Sequence, residues 1–255
     1  MLYQKFYEKQ SNIFQIYIKN TTQKQILVKN IIAKLKSSFK LKEKLDFVFT
    51  DIGAGDGKVT IPIIKFLEEQ TKLTCHVIEP SDLIDAFKQN CKSNNVQYYK
   101  QKIDEFKIPR SDFILVSHVL VYVDDYEKTI QKIYAALKDT GIALLIETNP
   151  HSDDDQLKLK LGKTKLKKFN LTSDIIKFLK ANSIKHQLET VDSEIDTSGC
   201  ISLNEEGKAL ISFFYHKPFQ ELTKKEITDL QNAIKELANE SHKLTKKEDY
   251  VWIFK

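Results

Sequence analysis

The chain has 255 residues, 41% hydrophobic and 29% charged, with fifteen Phe and ten Tyr. That length allows one large domain burying about 70–75% of its unfolded surface, and the composition excludes an intrinsically disordered chain. Forty basic residues face 35 acidic ones, for a net charge of +5, which describes a mixed solvated surface and not a nucleic-acid footprint.

Two amphipathic helical patterns open the chain between residues 3 and 40, in "YQKFYEKQSNIFQIYIK" and "TTQKQILVKNIIAKLKSSF". From about Asp46 short apolar runs alternate with helical periodicity. "DFVFTDI", "LTCHVIE", "VQYY", "DFILVSHVL" and "IALLIET" read as buried strands. "KVTIPIIKFLEEQ", "SDLIDAFKQNCK" and "DYEKTIQKIYAALKD" read as the helices between them. Such alternation predicts an α/β fold with a parallel sheet covered on both faces.

Farther on, "LTSDIIKFLKANSI" predicts a helix capped by Thr172 or Ser173, and "NEEGKALISFFYHKPF" a second one. "LTKKEITDLQNAIKELANE" opens on a capping box of Thr223 and Glu226, and "DYVWIFK" reads as a closing strand. No repeat or Pro/Gly/Ser-rich linker interrupts the chain, so one domain is expected over 1–255. It divides into N-terminal helices (1–45), a core (46–150) and a C-terminal part (151–255).

Cys75, Cys91 and Cys200 lie far apart and are odd in number, which argues against a disulfide framework and for a reducing, cytoplasmic setting. The first fifteen residues scatter charges among apolar residues, unlike a secretory signal. No apolar run approaches the length of a membrane span, so no membrane is expected.

The chemistry concentrates at "FTDIGAGDGKVTIP", where Gly53, Gly55 and Gly57 use three of only seven glycines. A strand ending at Asp51, a glycine turn and a helix from about Lys58 present main-chain N–H groups and a helix N-terminus to a ligand. The dinucleotide fingerprint fails because Lys58 stands where the third glycine belongs, and no G-K-[ST] follows for a P-loop. At the end of the next strand, in "CHVIEPS", Glu79 can accept both hydroxyls of a ribose.

This D-x-G-x-G-x-G pattern resembles motif I of the class I S-adenosylmethionine-dependent methyltransferases. The resemblance implies a Rossmann-like seven-stranded sheet with helical additions capping an acceptor pocket. It implies S-adenosyl-L-methionine as cofactor, leaving as S-adenosyl-L-homocysteine. Asp51, Gly53, Gly55, Gly57, Glu79 and Pro80 would then bind the cofactor. "KQKIDEF" falls where adenine is contacted, which adds Ile103 and Asp104.

Further stretches, "SHVLVYVDDYEKTIQKIYAALKDTGIALLIE", "NLTSDIIKFLKANSIKHQLETVDSEIDTSGC" and "EEGKALISFFYHK", are similar in order and spacing to the histamine N-methyltransferases. This implies a monomer methylating a small amine or imidazole-like acceptor. Ser117 would lie near the adenine. His118, Tyr122, Phe213 and Gln23 would contact the acceptor, with His118 and Tyr122 as the catalytic candidates. Gln23 stands where that family has a glutamate for the acceptor's amine, and Val121 replaces one of two adjacent tyrosines. Two pocket tryptophans and a C-terminal asparagine have no counterpart, the only tryptophan being Trp252.

Methyl transfer from a sulfonium is an in-line displacement, so alignment and exclusion of water are the protein's main contributions. A nitrogen acceptor must arrive unprotonated, and an imidazole such as that of His118 can take or relay its proton or simply donate a hydrogen bond. The remaining histidines pair with no other ligand at metal spacing, and Asp153, Asp154 and Asp155 read as a solvent-facing loop, so no metal is expected. "KLKLGKTKLKKF" raises RNA or protein as an alternative acceptor, the missing acceptor groups raise an inactive cofactor-binding homologue, and the sheet leaves an oxidoreductase as a third reading. Nucleic acid is not the expected partner.

Overall fold

Seven strands form one sheet in the order β3-β2-β1-β4-β5-β7-β6, in a computed structural model that describes residues 11–162 and 171–255. The strands are β1 Asp46–Ile52, β2 Lys72–Ile78, β3 Val96–Tyr99, β4 Ser111–Ser117, β5 Leu137–Thr148, β6 His186–Asp196 and β7 Lys243–Phe254. β1 to β5 pair in parallel, and the order reverses between β1 and β4, the crevice where doubly wound sheets bind ligands. The seven-stranded α/β architecture expected from the sequence is the one observed.

The described helices are α1 Ser11–Lys19, α2 Gln23–Ser38, α3 Thr60–Glu68, α4 Leu83–Asn90, α5 Tyr126–Ala136, α6 Asp153–Lys160, α7 Leu171–Ala181, α8 Ser198–Ser202, α9 Glu205–Tyr215 and α10 Lys224–Leu237. Their ends follow local chemistry. Asp125 accepts from the Lys128 amide at 2.9 Å to start α5, and Asn204 accepts from Gly207 at 2.8 Å to start α9. The expected capping box of α10 is present in both directions, Thr223 to Glu226 and back. The helix α7 already includes Leu171, so Thr172 and Ser173 lie inside it and do not cap it. Thr172 is buried, as an inward position of that helix must be.

Spatial proximity groups the described residues into two compact units, a larger one of 25–148, 171–190 and 249–255 and a smaller one of 11–24, 149–162 and 191–248. In the larger unit, Ile52, Ile78, Val116 and Leu145 from four adjacent strands pack with Ile130 and Ile133 of α5 and Ile175 of α7. All seven are at most 1% exposed, the burial that continuous apolar strand runs dictate.

In the smaller unit, Ile13 and Tyr17 of α1 pack with Leu210, Phe213 and Phe214 of α9 and Leu230 and Ile234 of α10. There α8 and α9 approach so closely that a Cβ at Gly207 would sit 1.8 Å from the Gly199 carbonyl oxygen. Only glycine fits that crossing, which accounts for the glycines of "DTSGC" and "EEGKAL".

Candidate active site

Register places the candidate cofactor residues side by side at the carboxyl edge of the larger unit's sheet. Ile52 pairs with Ile78 on β2 and with Val116 on β4, so the next residues, Glu79, Gly53 and Ser117, end adjacent strands at one level. The chain then turns through Gly53, Gly55 and Gly57 at φ of 75°, 56° and 81°, the left-handed region open to glycine. A Cβ at Gly53 would lie 2.2 Å from Val119 Cγ2, whereas one at Gly55 would meet only Leu83 at 3.9 Å. Gly55 therefore borders open space that a ligand can use.

The turn is tied to β2. Gly53 N donates to the Ile78 carbonyl at 2.7 Å, Gly55 N to Glu79 Oε2 at 2.9 Å, and Ser81 N to Glu79 Oε1 at 2.9 Å. Glu79, 7% exposed, thus both faces the crevice edge and holds the middle of the glycine turn.

Asp51 points elsewhere. It is 2% exposed, and the Thr60 hydroxyl at the start of α3 donates to its carboxylate. Burial pushes its carboxyl up to about 7, the Thr60 hydrogen bond opposes that rise, and the charge of Glu79 adds to it. Asp51 fastens the helix start to the strand, and α3 begins at Thr60, two residues past the expected Lys58.

Beyond Ser117 the backbone of His118 enters the left-handed region at φ 56°, a conformation histidine adopts more readily than most residues with a side chain. Its N–H still donates to Ile146 O at 2.9 Å. This bend leads to Val119, which packs on Gly53, and to Tyr122, 85% exposed beside exposed Val121.

On β5, Glu147 follows Ile146, the register partner of Ser117, and is 3% exposed. Sequence reasoning passed over this buried carboxylate. Its only signal was an acidic residue ending the apolar run "IALLIET". Ile103 is buried in the larger unit's core, its carbonyl accepting from Lys132 Nζ at 2.7 Å, while Asp104 and Pro80 are exposed.

In the smaller unit, Gln23 is 9% exposed and its amide donates to the carboxylate of Glu248, itself 1% exposed on β7. A buried carboxylate thus adjoins position 23 at the start of α2, supplied by β7. Phe213 stacks on Tyr17 with ring centroids 3.9 Å apart and planes 11° from parallel, and Lys158 Nζ lies over the Phe213 ring at 5.6 Å.

The acidic run is corrected by the structure. Asp153–Lys160 is a helix, and Asp154 is buried and not solvent-facing. Ser152 donates to Asp154, and Lys246 and Lys158 reach its carboxylate at 3.5 and 3.7 Å. Burial alone would raise the Asp154 carboxyl, but the two ammoniums and the Ser152 hydroxyl hold it below the usual carboxylate range. Lys246, although buried, is kept charged, its pKa raised by Asp154, Tyr17 and Glu248. Among the described residues no three His, Cys, Asp or Glu side chains are grouped to hold a metal ion, and no helix is long and apolar enough to cross a membrane.

A sheet whose order reverses beside a glycine turn, with an acidic residue ending the next strand, defines a nucleoside-cofactor fold. The family model of the methyltransferase domain matches residues 29–198, more than half of the chain, which belongs to that family. It is an S-adenosylmethionine-dependent methyltransferase.

Among curated relatives it is similar to histamine N-methyltransferase of Cavia porcellus, 24% identical over 230 residues, and to that of Mus musculus, 25% identical over 226 residues. Each alignment covers 78% of this chain and 77% of the relative. Among solved structures, the plantazolicin methyltransferase BpumL in complex with SAH superposes with a TM-score of 0.59 at 13% identity, over 99% of this chain and 93% of that one. The YcgJ protein from Bacillus subtilis superposes with a TM-score of 0.58 at 13% identity, over 91% and 98%. These likenesses support the fold.

The larger unit's residues suit the cofactor. A side chain at Gly55 would fill the open space the turn leaves, and the Glu79 carboxylate stands where a ribose diol can share it. S-adenosylmethionine brings the methyl group, carried on its sulfonium. The chain contributes donors, a carboxylate and a shaped edge.

Proposed function

We propose that the chain methylates a nitrogen of a small molecule, an amine or an imidazole-like compound. The observation that carries this reading is the placement of His118. It stands one residue past Ser117, which is level with Gly53 and Glu79, on a left-handed bend that follows the end of β4. An imidazole there can take the proton that a nitrogen acceptor must lose. The similarity to enzymes named for histamine, over 78% of the chain, supports the same class of acceptor.

In this reading Gly53, Gly55 and Gly57 admit the amino-acid end of the cofactor and Glu79 takes the ribose. Pro80, Ile103, Asp104 and Ser117 flank the adenosine, and Asp51 acts through Thr60 to hold the turn. Tyr122, and Gln23 and Phe213 of the smaller unit, are assigned to the acceptor by resemblance. His118 and Tyr122 are the groups nearest the chemistry.

The test is transfer of label from [methyl-³H]-S-adenosylmethionine to a panel of primary amines and imidazoles, with total RNA and a protein extract as parallel acceptors. The proposal expects label on a small nitrogen compound, and a loss of about a hundredfold in turnover on His118→Gln. Label confined to RNA or protein would overturn it.

A further inference from the structure

The smaller unit buries an unusual concentration of charge beside its aromatic pair. Asp154, Lys246 and Glu248 are 2%, 6% and 1% exposed. Lys158, with its side chain 16% exposed, adds a fourth charge. Burying ions costs free energy that their mutual attraction only partly returns, and such groups collect where a ligand must be recognised.

The four charges have two ends. At one, Glu248 receives the Gln23 amide. At the other, the Lys158 ammonium stands over the Phe213 ring while reaching Asp154 at 3.7 Å, long for a salt bridge. An aromatic face attracts a cation electrostatically, and here the chain furnishes that cation itself. Lys158 lies one turn after Asp154 on α6, and Asp154 also meets Lys246 at 3.5 Å.

We infer that Lys158 sets the charge preference of this site. It occupies the Phe213 ring with a resident cation, so the acceptor is a nitrogen compound that also carries an anionic oxygen group, most simply a carboxylate. This rests on the proposed acceptor role of Phe213. A second cation at the ring would meet the Lys158 ammonium, whereas a carboxylate would pair with it in place of the stretched contact to Asp154. The amine of the same molecule would share Glu248 with the Gln23 amide. An amino-acid-like zwitterion matches both ends, and a bare organic cation matches one.

The experiment uses the full chain with S-adenosylhomocysteine bound, whose own calorimetric titration reports on the methyltransferase reading separately. Tetramethylammonium is titrated by NMR into the native chain, Lys158→Ala and Lys158→Arg. Removing the resident cation is expected to tighten tetramethylammonium binding about tenfold in Lys158→Ala, and Lys158→Arg, which keeps a cation, is expected to match the native chain. Equal binding by all three would overturn the inference even if the homocysteine product binds normally. In label-transfer assays on matched pairs, histidine against histamine and phenylalanine against phenethylamine, native protein favouring the decarboxylated member would overturn it as well.

Discussion

The Glu79 carboxylate accepts the Gly55 amide hydrogen at 2.9 Å, joining the end of β2 to the middle of the glycine turn. This side chain shapes the turn, and in the proposed function it has a second task, to hold the ribose. Charge-assisted hydrogen bonds of this type contribute about 1.5–3 kcal/mol each. Calorimetry with S-adenosylhomocysteine should show affinity falling about 10- to 100-fold in Glu79→Ala. Glu79→Gln should lose less, because an amide oxygen still accepts one main-chain donor. Unchanged affinity in both variants would remove Glu79 from the cofactor site.

Gly53 is held at φ 75° with Val119 against it. Gly53→Ala combines a left-handed backbone penalty of about 1–2 kcal/mol with a methyl group placed 2.2 Å from Val119 Cγ2. Urea denaturation should show a loss larger than the backbone penalty alone. Adding Val119→Ala should recover the steric part and leave the backbone part, a coupling that a double-mutant cycle measures.

Stability should carry a signature of Asp51. Its carboxyl ordinarily titrates at 3.8 and is pushed up to about 7 in the folded chain. Between those values the folded state binds the extra proton, so its contribution is full below about 3.8, falls as pH rises, and is gone above about 7. In Asp51→Asn that slope disappears. Native stability minus that of the variant should decline by a few kcal/mol, to order of magnitude, from pH 4 to pH 7.5 and then level off. A difference constant with pH would contradict the burial and hydrogen bonding described for Asp51.

The buried pair of Asp154 and Lys246 predicts asymmetric mutational costs. Lys246→Met leaves Asp154 buried with the Ser152 hydroxyl and, as its ion pair, the longer contact to Lys158, and removing one partner of a buried pair costs about 3–5 kcal/mol. Asp154→Leu combined with Lys246→Met removes both charges and should cost less than either single change. Chemical denaturation of the three variants checks this. A double variant as unstable as the two singles added together would contradict the coupling.

These cases show what could be seen in the sequence. The glycine turn and Glu79 were legible because each ends an apolar strand run and because three clustered glycines have few other uses. The capping box of α10 was legible for the same local reason, Thr223 and Glu226 lying three residues apart. Asp154 was not legible: three consecutive aspartates look solvated, and the lysine that makes burial tolerable lies 92 residues away on β7. Glu147 was hidden likewise, since its burial depends on the register of β4 against β5. The strand β6 is not among the apolar runs that mark the other strands, because residues 186–190 include no buried position and the inward pattern begins at Val191.

The most direct measurement is a crystal structure of the chain with S-adenosylhomocysteine. The account predicts both ribose hydroxyls on the Glu79 carboxylate and the amino-acid end against the main chain of Gly53 to Gly57, with the sulfur turned toward the His118 bend. A product molecule bound with its ribose away from Glu79, or with the glycine turn untouched, would contradict it.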